Sequence, residues 1–108
     1  MASHAKVRIL ERARTLIAEE RHWCRGDLAL DAGGQPVSPM DSSAKRRCAL
    51  GALVAAAYEI TSDPDLAHRL ATTAVRPLAG ATSLTHINDS KGHAAVLALF
   101  NLALAEAV

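Results

Sequence analysis

Apolar residues recur at every third or fourth position in several stretches of the chain, which is the spacing of one face of an α-helix. The spacing predicts a first helix over about residues 3–21 and a second over about residues 43–60. A third helix follows from about residue 62 and ends at Pro77 and Gly80. A last helix covers about residues 90–107. The sequence therefore predicts four helices.

Helix starts are marked by polar residues that accept backbone N–H groups and by a proline in the first turn. A short extended piece, Ser83 to Ile87, is predicted before the last helix. The predicted caps are, in chain order, Ser3, Ser42 or Ser43, Ser62-Asp63 ahead of Pro64, and Asn88-Asp89-Ser90.

The stretch from His22 to Ser43 interrupts this helical pattern. Regular helix does not persist through closely spaced glycine and proline. Residues 27–31 and 35–37 fit a short hairpin across Gly33-Gly34, and an ordered Ω-like loop fits equally well. The fold class we predict is all-α or nearly so, a compact four-helix domain with this Gly/Pro-rich loop or short hairpin between helices 1 and 2. The glycines and prolines that interrupt the helical pattern are Gly26, Gly33, Gly34, Pro36 and Pro39.

The last helix is apolar nearly all round. Leu99 and Leu102 lie away from the side that carries most of its large residues, so one packed layer cannot bury both sets. We therefore predict either a central position in the core or a shared surface, with self-association as a homodimer. The side that carries most of the large residues consists of Val96, Leu97, Phe100 and Leu104.

Cys48 is the first candidate for chemistry. A cysteine near a helix start, with His86, His93, Asn88 and Asp89 elsewhere, supplies the residue types of a cysteine hydrolase. In the predicted helix, however, Cys48 lies in the second turn. We expect it to be a buried, structural thiol of raised pKa. Cys48 lies on a stripe of small residues with Gly51, Ala52 and Ala55. Such a stripe favours close packing against another element.

Trp23 adds a candidate for a binding site. It lies where the first helix meets the loop, and either anchors that loop to the core or forms the wall of a pocket. We favour the anchor. The arrangement that would revive a functional interpretation is an open cleft lined by Trp23, Cys48, Asn88 and Asp89 together.

Metal and cofactor sites have weaker support. His22 and Cys24, or His86, Asp89 and His93, offer ligand types without the spacing of known zinc sites. We predict no metal and no cofactor.

Composition and charge narrow the class of protein. The chain has 108 residues, the size of one domain, and we treat residues 1–108 as a single unit. Its formal net charge is +1, so we do not expect a nucleic-acid partner, despite the short basic run Lys45-Arg46-Arg47. Two cysteines, no apolar leader and no long apolar run predict a cytoplasmic protein with no membrane segment.

Three segments together resemble a family of small bacterial and phage proteins catalogued as a domain of unknown function. They are Trp23-Cys24-Arg25-Gly26, Cys48-Ala49-Leu50-Gly51-Ala52-Leu53, and Asn88-Asp89 followed by Val96-Leu97-Ala98-Leu99-Phe100. The resemblance covers roughly residues 7 to 105. It implies a compact helical domain and supplies no activity. In the family pattern the position of His86 is not dependably histidine, which weakens a catalytic role for that residue.

The function we predict is a non-enzymatic interaction or accessory module that binds another protein or itself. The first alternative is a small cysteine-dependent hydrolase or transferase that uses Cys48. A second alternative is a nucleic-acid or phage-defence accessory protein that uses Lys45 to Arg47.

Overall fold

The computed structural model describes residues 4–75 and 81–107. This part of the chain is mostly helical, as predicted, but it holds five α-helices rather than four. A single turn of 3₁₀-helix and a two-stranded antiparallel sheet lie between the first two helices. The elements are α1 (His4–Leu16), the 3₁₀ turn (Glu20–His22), β1 (Ala29–Leu30), β2 (Arg46–Arg47), α2 (Ala49–Thr61), α3 (Pro64–Val75), α4 (Ala81–Lys91) and α5 (His93–Ala107).

Helix α2 forms the centre of the core. It packs against α1, α3 and α4, while α5 packs on α1 and α4 at the edge of the bundle. Eight consecutive or near-consecutive residues of α2 are buried, most of them alanine, so the neighbouring helices approach its backbone closely. Large side chains around α2 fill the remaining space. Phe100, Ile9, Leu10 and Leu84 of the other helices are fully buried, as are Leu53 of α2 and Ile17, one residue after α1.

Helix α1 ends five residues earlier than predicted, at Leu16. The carbonyl oxygen of Ile17 lies 2.6 Å from Nε2 of His93. Since a carbonyl only accepts, this nitrogen carries the hydrogen and donates it. A continuing helix would use the same carbonyl for the N–H of Arg21. The long-range contact with His93 therefore takes the place of the next helical turn. The predicted cap of this helix, Ser3, lies outside the described residues.

Helix α2 begins at Ala49, so the predicted start at Ser42 or Ser43 is wrong. The backbone just before it is committed to a sheet: Arg46 and Arg47 pair with β1, and the N–H of Lys45 donates to the carbonyl of Leu30. Cys48 is consequently the N-cap of α2 and not a residue of its second turn.

The segment between α1 and α2 is ordered by β1 and β2, whose register pairs Ala29 with Arg47 and Leu30 with Arg46. Residues 35–37, predicted as the second strand of a hairpin, contribute only one isolated bridge, between Leu30 and Pro36. The turn between them is held by Asp31, whose Oδ1 accepts the N–H groups of Gly33 and Gln35.

Residues 81–91 form helix α4, so the predicted extended piece from Ser83 to Ile87 is wrong. Asn88, Asp89 and Ser90 lie in the last part of α4 and do not cap α5. The break between the two helices falls at Gly92, whose φ of +93° is a conformation that favours glycine.

Helix α3 begins as predicted at Pro64. Oδ1 of Asp63 accepts the N–H groups of Asp65 and Leu66, which satisfies two of the free donors of the first turn. Its predicted end at Pro77 and Gly80 falls outside the described residues. Within the described ranges, no helix combines the length and apolar character needed to cross a bilayer.

Candidate functional site

Asn88 is the centre of a buried hydrogen-bond network. Its Oδ1 accepts from Nε1 of Trp23 at 2.7 Å and from the backbone N–H of Ala49 at 2.9 Å. Its Nδ2 donates to the carbonyl of Cys24 at 3.0 Å and to Oδ1 of Asp89 at 3.0 Å. Both acceptor sites and both donors of the amide are thus used. Asn88 is fully buried, and the network leaves it no free polar capacity for a ligand.

Three of the four partners of Asn88 come from distant parts of the chain, and the fourth, Asp89, is its neighbour in sequence. Ala49 is the first residue of α2, and its N–H is one of the donors that a helix cannot satisfy internally. Trp23 and Cys24 begin the long segment that follows the 3₁₀ turn. A single side chain from α4 therefore fixes the start of α2 to the start of this segment.

Asp89 secures the next residues of the same segment. Its Oδ1 accepts the backbone N–H of Gly26 at 3.0 Å, and Nη1 of Arg25 donates to its carbonyl oxygen at 2.9 Å. The hydrogen bonds from Asn88 and Gly26 lower the pKa of the Asp89 carboxyl. The carboxylate therefore holds this turn most firmly when it is ionised.

Trp23 is buried, with 7% of its surface exposed, which agrees with the loop-anchor interpretation. The guanidinium of Arg25 lies over its ring, 5.0 Å from the centroid, and the ring of His93 lies 5.6 Å away at a tilt of 48°. Covered by these groups and bonded through its N–H, the indole packs as part of the core.

Both thiols are buried and free. Sγ of Cys48 accepts the N–H of Gly51 at 3.3 Å, but burial outweighs this contact and raises the pKa of Cys48. Sγ of Cys24 donates to the carbonyl of Asp27 at 3.4 Å, and burial, followed by the nearby Cys48, raises the pKa of Cys24 to about 11. Neither thiol is held in the form that attacks substrates.

The two candidate bases do not join Cys48. His86 is exposed, and His93 is bonded to Ile17 and packed on Trp23. Across residues 4–75 and 81–107, no hydrogen bond links either histidine to Cys48. The same ranges contain no group of three histidine, cysteine or acidic side chains placed to bind a metal.

Gly51 marks a contact that the sequence does not reveal. A Cβ atom at this position would lie 2.0 Å from the carbonyl oxygen of Leu28, far inside van der Waals contact. Gly51, one member of the predicted stripe of small residues, therefore does face another element, the backbone of the loop. A glycine inside a predicted helix is the one sequence signal that hinted at this close approach.

The structure thus brings together Trp23, Cys48, Asn88 and Asp89, the four residues named from the sequence as the lining of a candidate cleft. They form a closed, hydrogen-bonded junction and do not line an open cleft. Arg25, Gly26 and Gly51 complete the junction. Sequence reasoning placed Gly51 in the stripe of small residues, but it assigned Arg25 and Gly26 no role there. The partner of these two residues, Asp89, is more than sixty residues away in sequence, so no local pattern could indicate the contacts.

These contacts define a small, mostly helical domain whose long inter-helix segment is fixed by a buried asparagine. The chain belongs to the family of unknown function DUF6197, whose model matches residues 1–106. No curated protein and no solved structure matches it. The membership confirms the resemblance to an uncharacterised family and brings no activity with it.

Proposed function

We propose that the protein is a non-enzymatic interaction module and that α5 pairs with the α5 of a second copy. The observation that carries the proposal is the outer face of this helix. Leu102 is 55% exposed, more than any other large apolar side chain in the described part of the chain. Ala94, Ala98 and Ala105 are exposed beside it, and no charged residue occurs between His93 and Glu106.

The spacing of these residues is self-complementary. Ala94, Ala98 and Leu102 follow one another at intervals of four, so they form one stripe along α5. When two α5 helices pair antiparallel, with the twofold symmetry axis near Ala98, each Leu102 lies opposite the Ala94 of the other copy. A large side chain then meets a small one on both sides, which is what a twofold symmetric interface requires.

The size of the face limits the affinity. A helix of 15 residues is about 22 Å long, so the pair buries a small interface. Interfaces of this size belong to weak or transient complexes. We expect a dissociation constant of about 10 µM or weaker, and a monomer–dimer equilibrium that depends on concentration.

Sedimentation equilibrium from low micromolar to about 1 mM protein tests the proposal. We expect the mean mass to rise towards that of a dimer, and Leu102→Glu to keep the chain monomeric. Leu66→Glu, on the first turn of α3, makes the same change at a side chain that is 37% exposed and should dimerise like the wild type. A wild-type monomer at the highest concentration, or a Leu102→Glu variant that still dimerises, would overturn the proposal.

A further inference from the structure

Five basic residues line one groove that is separate from the Asn88 junction and from α5. Arg21 and His22, in the 3₁₀ turn, line it together with the basic run Lys45-Arg46-Arg47. The groove has a volume of about 450 Å³. More than twenty residues of sequence separate the two groups. A bridge between Trp23 and Arg47, with the N–H of Cys24 donating to the carbonyl of Arg47 at 3.1 Å, brings them together.

Little negative charge opposes these basic residues. Asp31 is the one acid among the residues that line the groove, and its Oδ1 already accepts two backbone N–H groups. Glu19 is the acid that contacts the groove residues of the 3₁₀ turn: its carboxylate lies 3.2 Å from the guanidinium of Arg21 and 3.7 Å from the ring of His22. These side chains are exposed, so the pairing is weak. Within the described ranges, Lys45 and Arg46 form no ion pair.

Arg47 is the most informative member of the groove. Its guanidinium is partly buried and fixed through Nε, which donates to the carbonyl of Pro39 at 3.0 Å. Burial lowers the pKa of Arg47, which means that its cation has lost part of its hydration. Glu59 is the acidic residue whose charge raises the pKa of Arg47. Its carboxylate already accepts hydrogen bonds from the guanidinium of Arg12 at 2.8 and 3.2 Å. Arg47 therefore adds a partly desolvated positive charge between this groove and the neighbouring one that Pro39 and Glu59 line.

We propose that this groove binds the phosphate groups of a small phosphorylated ligand of nucleotide size. The planar fork of arginine matches phosphate oxygens, and Lys45 adds a mobile point charge. A volume of about 450 Å³ lies in the usual range for small-molecule sites. The formal net charge of +1 leaves no wider basic field of the kind that tracks a nucleic-acid backbone.

Calorimetric titration with pyrophosphate and with ATP tests the site. We expect the wild type to bind both, and the double substitution Lys45→Gln with Arg46→Gln to weaken binding by about tenfold or more. The matched control removes two exposed charges elsewhere, Arg8→Gln with Arg69→Gln, and should change affinity by less than about twofold. Melting curves of both variants verify that they are folded.

Three results would overturn the proposal. The first is a wild type that binds neither probe at millimolar concentration. The second is a control variant that loses as much affinity as the groove variant, because the attraction would then come from overall charge. The third is a preference for single-stranded oligonucleotides that grows with their length and falls steeply with salt, since that behaviour indicates an extended nucleic-acid surface.

Discussion

The indole N–H of Trp23 donates to the side-chain oxygen of Asn88 at 2.7 Å, across 65 residues of sequence, and both residues are buried. The same oxygen accepts the first N–H of α2, from Ala49. A hydrogen-bonding side chain from α4 thus completes both the helix start and the loop anchor. The four predictions below test this junction and its surroundings.

Asn88→Ala should destabilise the protein strongly. The change leaves the N–H groups of Trp23 and Ala49 and the carbonyl of Cys24 without partners, and each buried, unpaired group costs about 1–3 kcal/mol. We expect the free energy of unfolding in urea to fall by about 3 kcal/mol or more. Asn101→Ala is the matched control, because that amide is exposed and should change stability by about 0.5 kcal/mol at most. Equal effects of the two substitutions would contradict the central role of Asn88.

Gly51→Ala should also destabilise the protein, although the same change stabilises an isolated helix. Alanine in a helix interior is favoured over glycine by about 1 kcal/mol. Here the added methyl group would clash with the carbonyl of Leu28, so α2 and the loop must separate. We expect the melting temperature to drop, with the loss of packing outweighing the helix propensity. Gly33→Ala, where the nearest atom lies at 3.5 Å, serves as control; a Gly51→Ala variant as stable as the wild type would show that the contact is dispensable.

Cys24 and Cys48 should react slowly in the native state. With a pKa of about 11, Cys24 is ionised ~10²-fold less at neutral pH than a free thiol, and burial adds a barrier to access for both cysteines. Alkylation with iodoacetamide, followed by mass spectrometry of the peptides, distinguishes the two sites. Both should reach the rate of a free thiol once denaturant is added. Rapid modification of native Cys48 would contradict its structural role and revive the cysteine-enzyme alternative.

Asp89 should make the free energy of unfolding depend on pH, with stability lost in acid. Its pKa is lowered in the folded protein, so its ionised form stabilises the fold above the unfolded pKa of about 3.9. This contribution is lost as the pH falls below about 4 and through the lower pKa of the folded state. The free energy of unfolding, measured with urea from pH 7 to pH 3, should therefore differ between wild type and Asp89→Asn by an amount that shrinks as the pH falls. A difference that stays constant over this range would mean that the charge of Asp89 does not support the turn.

The fold could be predicted from the sequence where a local rule decides the structure. Asp63 caps α3 and Pro64 begins it, because cap and proline act on backbone groups within the same turn. The two-sided apolar character of α5 follows in the same way from periodicity, since too many of its residues are apolar for one packed layer. Periodicity left open whether the second side is buried or exposed, and in the structure Leu102 is exposed.

The candidate site could be predicted only as a set of residues. Trp23, Cys48, Asn88 and Asp89 do meet, but their arrangement depends on contacts between residues 23–26, 48–51 and 88–89. Asparagine before a run of helix formers has the pattern of a cap, and the same residue type also satisfies a buried set of donors and acceptors. Sequence offers no means of telling the two apart.

Taken by itself, the sequence determined a mostly helical chain, the start of α3 and the two-sided apolar character of α5, because these depend on neighbours within a turn or two. Only the tertiary structure decided that α2 begins at Cys48–Ala49, that residues 81–91 are helical, and that Gly51 lies against Leu28. The pairing of β1 with β2 removes residues 46–47 from the helix, and the burial of Asn88 secures α4 to the loop. These outcomes rest on hydrogen bonds and close packing between residues 16 to 65 positions apart in sequence, for which local propensity carries no signal.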